Sequence, residues 1–122
     1  MKKRILLVED EILISNAYAM ILREYKYVVE TAGDGMQALT KIKSSKFDLV
    51  LLDIMLPKMS ALDILQTLKK EGKLPKIPII LLTNLAQDPV IKELMGLGAT
   101  SYLLKIDTDP GMLAEKVKEI LN

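Results

Sequence analysis

Phe47-Asp48-Leu49-Val50-Leu51-Leu52-Asp53 carries the clearest sign of the fold class. Its four consecutive aliphatic residues do not alternate with polar ones. That pattern suits a strand covered on both faces, as in a parallel sheet, and argues against a strand with one wet face. Ile5-Leu6-Leu7-Val8 and Ile77-Pro78-Ile79-Ile80-Leu81-Leu82 read the same way. Working outward, five strands are predicted at Ile5–Val8, Tyr27–Thr31, Phe47–Leu52, Ile77–Leu82 and Ser101–Leu104.

Helical periodicity fills the intervals, at 11–24, 35–45, 60–71, 88–97 and 110–121. In the last, Leu113, Val117, Ile120 and Leu121 form one stripe, and Asp109-Pro110 supplies an N-cap followed by proline at the first helical position. Helix 88–97 aligns Ile91, Leu94 and Met95 and stops at Gly96-Leu97-Gly98. Leu13, Ala17, Met20 and Ile21 are expected to be the buried stripe of the first helix, and the seven methionines to fill gaps in the core. Five alternating β and α units with short links predict an α/β fold, a single doubly wound open sheet of five parallel strands. At 122 residues, one domain spanning 1–122 is expected.

Composition narrows the chemistry. Half the residues are hydrophobic and 27% are charged, so a packed core is expected. Lys plus Arg number 17 against 16 acidic residues, which leaves no basic field for gripping nucleic acid. Lys2-Lys3-Arg4 reads as a solvated strand start. With no Cys and no His, disulfides, thiolate or imidazole metal sites and Ser-His or Cys-His pairs are excluded. The apolar run after Arg4 ends within four residues, too short for a signal peptide or a membrane span, so the cytoplasm is the expected compartment and no membrane partner is expected.

Ligands of open α/β sheets bind outside the carboxyl ends of the strands, where strand order reverses. The residues just past each strand are therefore the candidates: Glu9, Asp10 and Glu11, then Asp53, then Thr83 and Asn84, then Lys105. Singly each has a plain reading; Glu11 and Asp88, for example, read as helix caps. Together, Glu9, Asp10 and Asp53 crowd like charges in a way that calls for a hard cation with oxygen ligands, and Mg²⁺ fits. Lys105 and Thr83 would then serve a bound anion. A carboxylate can accept a phosphoryl group as an acyl phosphate. No phosphate-cradling glycine loop is present, which disfavours nucleotide binding.

Over Ile5 to Leu121 the chain resembles the receiver domains of two-component response regulators, members of the CheY-like superfamily with a flavodoxin-like fold. The resemblance rests on Ile5-Leu6-Leu7-Val8-Glu9-Asp10-Glu11, on Asp53-Ile54-Met55-Leu56-Pro57-Lys58-Met59, on Leu82-Thr83, and on Gly98-Ala99-Thr100-Ser101-Tyr102-Leu103-Leu104-Lys105. It implies that Asp53 is the phosphoacceptor. It also implies that Asp10, Asp53 and the Met55 backbone carbonyl bind Mg²⁺, with Glu9 acting through water. Lys105 would pair with the phosphoryl group, Thr83 would swing toward it, and Tyr102 would be the coupled switch aromatic. The implied donor is a sensor histidine kinase or another phosphotransfer protein. The implied output is a protein partner on the face of the fourth helix, fifth strand and fifth helix, with Val90 and Leu97 as candidate apolar contacts and no direct nucleic-acid contact.

Three positions depart from the family pattern. Ala61 replaces a usual glycine, which would strain the loop if the position required positive φ. Asn84 replaces a smaller residue and is expected to narrow the phosphoryl pocket. Ile106 stands where a cis proline usually follows the lysine, so a trans bond is expected there. These departures keep open a receiver-like interaction module that signals without phosphorylation. A haloacid-dehalogenase-like phosphatase is the enzymatic alternative, though Met55 stands where such enzymes carry a second Asp. The reading adopted is a signalling domain, not an enzyme.

Overall fold

The computed structural model describes residues 2–84 and 89–122, and the statements below apply to these. Five strands alternate with five helices: β1 Arg4–Val8, α1 Ile12–Glu24, β2 Val28–Ala32, α2 Gly35–Ser44, β3 Leu49–Asp53, α3 Ala61–Lys70, β4 Ile79–Thr83, α4 Pro89–Leu97, β5 Ser101–Leu104 and α5 Pro110–Leu121. All pair in parallel in one sheet of order β2-β1-β3-β4-β5. Strand order reverses between β1 and β3, which opens a crevice at their carboxyl ends.

The continuous apolar runs make sense in this sheet because successive side chains leave opposite faces. Leu6, Val8, Val50, Leu52, Ile79 and Leu81 pack with Ile64, Leu65, Leu68, Ile91 and Leu94 from α3 and α4. Ile5, Leu7, Leu49, Leu51, Ile80 and Leu82 pack with Tyr18, Ala19 and Leu22 of α1 and Leu113, Ala114 and Val117 of α5. Each fully buried Leu or Ile contributes about 1.5–3 kcal/mol of apolar transfer, so both faces of the central strands hold the fold together.

Several expectations need correction. In α1 the buried residues are Ser15, Tyr18, Ala19 and Leu22, whereas Leu13 is 81% exposed and Met20 61% exposed. That helix is apolar nearly all the way round, so periodicity left its rotation open and the sheet decided it. Met36, Met55, Met95 and Met112 also face solvent and fill no gap. Glu11 occupies the N-cap position of α1, but its side chain makes no capping bond. The predicted cap at Asp88 lies outside the described residues. β3 begins at Leu49 because Arg4 and Asp48 meet first, the Arg4 amide donating to Asp48 Oδ2 and the Asp48 amide to the Arg4 carbonyl, both at 2.7 Å. β4 begins at Ile79, after Pro78, which has no N–H to donate. Lys105–Asp107 form a 3₁₀ turn that periodicity did not predict.

Ala61 is not strained. It is the first residue of α3, and the non-glycine positions with positive φ are Lys26 and Lys58. Ser60 and Asp63 form a reciprocal capping box that starts this helix. The described peptide bonds, including that before Ile106, are trans. Val90 and Leu97 are half-buried and pack against the core layer of α3 and α4. No described helix is long and apolar enough to cross a membrane.

Candidate functional site

Parallel pairing puts the carboxyl end of every strand at one edge of the sheet, so residues far apart in sequence meet there. Val8 is level with Leu52, Asp53 with Leu82, and Thr83 with Leu104. Asp53 is the last residue of β3, Thr83 the last of β4, and Lys105 follows β5 directly. A cavity of about 360 Å³ opens between them, lined by Asp10, Glu11, Asp53, Met55, Thr83, Asn84 and Lys105. Glu9 is only 2% exposed and does not line this cavity, though it touches Lys105, which does. Every carboxylate, hydroxyl and ammonium expected at the site is thus within this one region.

Lys105 organises its floor. Its Nζ donates to Asp53 Oδ2 at 2.7 Å and lies 2.6 Å from Glu9 Oε1. The contact with Glu9 is an ion pair without hydrogen-bond geometry, so the buried Oε1 has no hydrogen-bond partner. Glu9 Oε2 accepts from the Glu11 amide at 3.2 Å. Asp53 Oδ1 accepts from the Met55 amide at 3.1 Å, which ties the segment after β3 to the carboxylate.

The charges respond to this crowding. Burial pushes the Glu9 carboxyl up to about 7, Lys105 opposes the rise, and the neighbouring Asp53 carboxylate adds to it. Burial alone would lower the Lys105 ammonium, but its hydrogen bond to Asp53 and the negative charges of Asp53 and Glu9 overcome that and raise it.

Glu9, Asp10 and Asp53 each offer a carboxylate oxygen, and these oxygens lie within 4.8 Å of one another. The donor set is all oxygen, and the cavity leaves room for water ligands. These features fit a hard divalent cation that keeps part of its hydration shell.

Tyr102 lies on β5, level with Leu81 of β4, and is 41% exposed. It does not line the cavity. Thr83 is buried on the cavity wall, and Asn84 is exposed beside it. Sequence reasoning missed the contribution of the β2–α2 turn, where Asp34 and Gly35 meet the loop after β3. Asp34 was legible as a helix cap, since its side chain accepts from the Gln37 amide at 2.8 Å.

Comparison with known proteins agrees with this geometry. The family model described as "Response regulator receiver domain" matches residues 5–118. The chain is 39% identical over 103 residues to the probable transcriptional regulatory protein TcrX of Mycobacterium tuberculosis, covering 83% of this chain and 42% of that protein. It therefore spans about half the length of the curated relatives it matches. A CheY-like response regulator receiver domain protein from Methanospirillum hungatei superposes with a TM-score of 0.86 at 34% identity, covering 99% of this chain and 94% of that one. The receiver domain of sensor histidine kinase PA1611 from Pseudomonas aeruginosa, solved with a magnesium ion coordinated in its active-site cleft, superposes with a TM-score of 0.85 at 25% identity, covering 99% and 98%. Five parallel strands in the order 2-1-3-4-5, acid and lysine at their carboxyl ends, and a family match over nearly the whole chain have one meaning: this chain belongs to the receiver domains of two-component response regulators.

Proposed function

We propose that Asp53 is the phosphoacceptor, loaded in a Mg²⁺-dependent reaction by a sensor histidine kinase or phosphotransfer protein. The observation that carries this reading is the Lys105 ammonium, held at 2.7 Å and 2.6 Å between the Asp53 and Glu9 carboxylates beside an open cavity. A carboxylate oxygen of Asp53 attacks phosphorus as the phosphorus–nitrogen bond of a phosphohistidine donor breaks. The bonding pair leaves with the imidazole, which takes up a proton, and Asp53 keeps the group as an acyl phosphate.

Lys105 is placed to shift from the carboxylate to a phosphoryl oxygen, offsetting the added negative charge. Glu9, Asp10, Asp53 and the Met55 carbonyl are the ligands assigned to Mg²⁺, with Glu9 acting through water. The ion's contribution is to neutralise charge on the transferring phosphoryl oxygens. Thr83 lines the same cavity and offers its hydroxyl to the acyl phosphate. In the phosphorylated state Tyr102 turns inward from its exposed position, and the face of α4, β5 and α5 presents a different surface to a downstream protein. The near-neutral charge of these 122 residues supports protein contact over direct nucleic-acid contact, and the compartment that goes with this reading is the cytoplasm.

Intact mass after treatment with acetyl phosphate and Mg²⁺ tests this reading. A single phosphoryl increment is expected, stable on the timescale of the measurement and absent from Asp53→Asn. Equal labelling of that variant would reject the assignment. Continuous turnover of the phosphate donor without an accumulated adduct would favour a phosphatase.

A further inference from the structure

The loop between β3 and α3 contains a backbone feature that its own sequence does not explain. Lys58 has φ of +67°, and the Met59 amide donates back to the Pro57 carbonyl at 2.7 Å. Together these define a γ-turn with positive φ at its centre, a rare and strained conformation for a non-glycine residue. Such strain persists only where the surroundings impose it, and here they lie in another part of the chain, the β2–α2 turn.

Three contacts hold the γ-turn. The Gly35 amide donates to the same Pro57 carbonyl at 3.3 Å. Asp34, itself nearly buried, has Oδ2 3.5 Å from Lys58 Nζ. The backbone of Met59 lies directly on Gly35, where a Cβ would stand 1.8 Å from the Met59 carbonyl oxygen. Gly33, two residues earlier in the same turn, has nothing within 4 Å of an added Cβ. The close approach is therefore specific to one position.

The other end of the loop is also fixed. The Ile54 amide donates to the Leu82 carbonyl at 3.1 Å, and the Met55 amide to Asp53 Oδ1 at 3.1 Å. Residues 54–56 are thus suspended between the sheet edge and the clamped γ-turn.

We infer that Asp34 and Gly35 are positioning residues for the site: they clamp the Pro57-Lys58-Met59 turn and so set where the Met55 backbone sits against Asp53 and the acidic cluster. The part of this inference that concerns cation binding rests on the proposed function; the part that concerns the Met55–Asp53 bond does not.

The experiment compares Gly35→Ala, Gly33→Ala and Lys58→Ala with the wild-type chain. It reads the amide resonance of Met55 in metal-free protein and the Mg²⁺ dissociation constant by calorimetry. Gly35→Ala is expected to move the Met55 resonance and to weaken Mg²⁺ about tenfold, while Gly33→Ala leaves both unchanged. Lys58→Ala tests the clamp without the added Cβ if Gly35→Ala fails to fold. Removing a positive charge would by electrostatics alone tighten cation binding, so the expected two- to threefold weakening marks lost positioning. An unmoved Met55 resonance in folded Gly35→Ala, or unchanged or tighter Mg²⁺ binding in Lys58→Ala, would overturn the inference. A wild-type chain that binds no Mg²⁺ would count against the proposed function, and the Met55 resonance would still decide the clamp.

Discussion

The Lys105 ammonium donates to Asp53 Oδ2 at 2.7 Å across a sequence separation of 52 residues, with the Lys105 side chain 9% exposed. The same nitrogen lies 2.6 Å from Glu9 Oε1, so one cation serves two carboxylates. Breaking such a pair leaves charges buried without compensation, which costs far more than the pair itself contributes.

Lys105→Ala is therefore expected to destabilise the metal-free domain by about 3 kcal/mol. Mg²⁺ should restore part of that loss by taking over the compensation of Glu9 and Asp53. Urea unfolding with and without Mg²⁺ measures both effects, and a loss that Mg²⁺ leaves untouched would mean that the ion does not reach these carboxylates.

The sign of the Glu9 shift predicts pH dependence. Its carboxyl is raised from 4.5 to about 7 in the folded chain, so between these values the native state binds more protons than the unfolded state. The stability this provides is fully present below about pH 4.5 and is lost as pH rises through about 7. Mg²⁺ needs the carboxylate, so its affinity should rise with pH across the same upper limit, with proton release on binding. Titration calorimetry in two buffers of different ionisation enthalpy counts that proton, and Glu9→Gln should abolish the dependence.

Asn84 lines the cavity from an exposed position. Asn84→Ala should widen access to Asp53 and speed both labelling by acetyl phosphate and loss of the acyl phosphate, with little change in stability. A gain within about tenfold, or 1.4 kcal/mol in barrier, is the scale expected of a rim side chain. Unaltered rates in both directions would show that access is set elsewhere.

Away from the site, α1 ends in a Schellman arrangement: the Tyr27 amide donates to the Leu22 carbonyl at 3.2 Å and the Lys26 amide to the Arg23 carbonyl at 2.9 Å. The residue this places in the left-handed region is Lys26, at φ of +73°. The corresponding position after α3 is Gly72, at +70°, where the Lys73 amide donates to the Leu68 carbonyl at 2.8 Å. Lys26→Gly removes a Cβ penalty of roughly 1–2 kcal/mol and adds chain entropy to the unfolded state. A net gain of about 0.5 kcal/mol in urea unfolding is expected, and a loss would show that the Lys26 side chain contributes more than its backbone costs.

The architecture was legible in the residue pattern, as was the meeting of carboxylates, a hydroxyl and an ammonium at one sheet edge. Runs such as Leu49-Val50-Leu51-Leu52 can be satisfied only by apolar cover on both faces, and parallel strands deliver their carboxyl ends to one edge. Asp53 and Thr83 close such strands and Glu9, Asp10 and Lys105 follow them, so their convergence was a consequence of topology.

Contacts between distant segments settled what local pattern leaves degenerate. The rotation of α1, which exposes Leu13 and Met20 and buries Tyr18 and Leu22, was set by the sheet because the helix has apolar residues on nearly every side. The Glu9 carboxyl is raised to about 7 by burial and by the Asp53 carboxylate of another strand, and the turn centred on Lys58 packs against Gly35 at the start of α2. Both arise from contacts between segments distant along the chain, whose distances and desolvation exist only once the sheet has assembled.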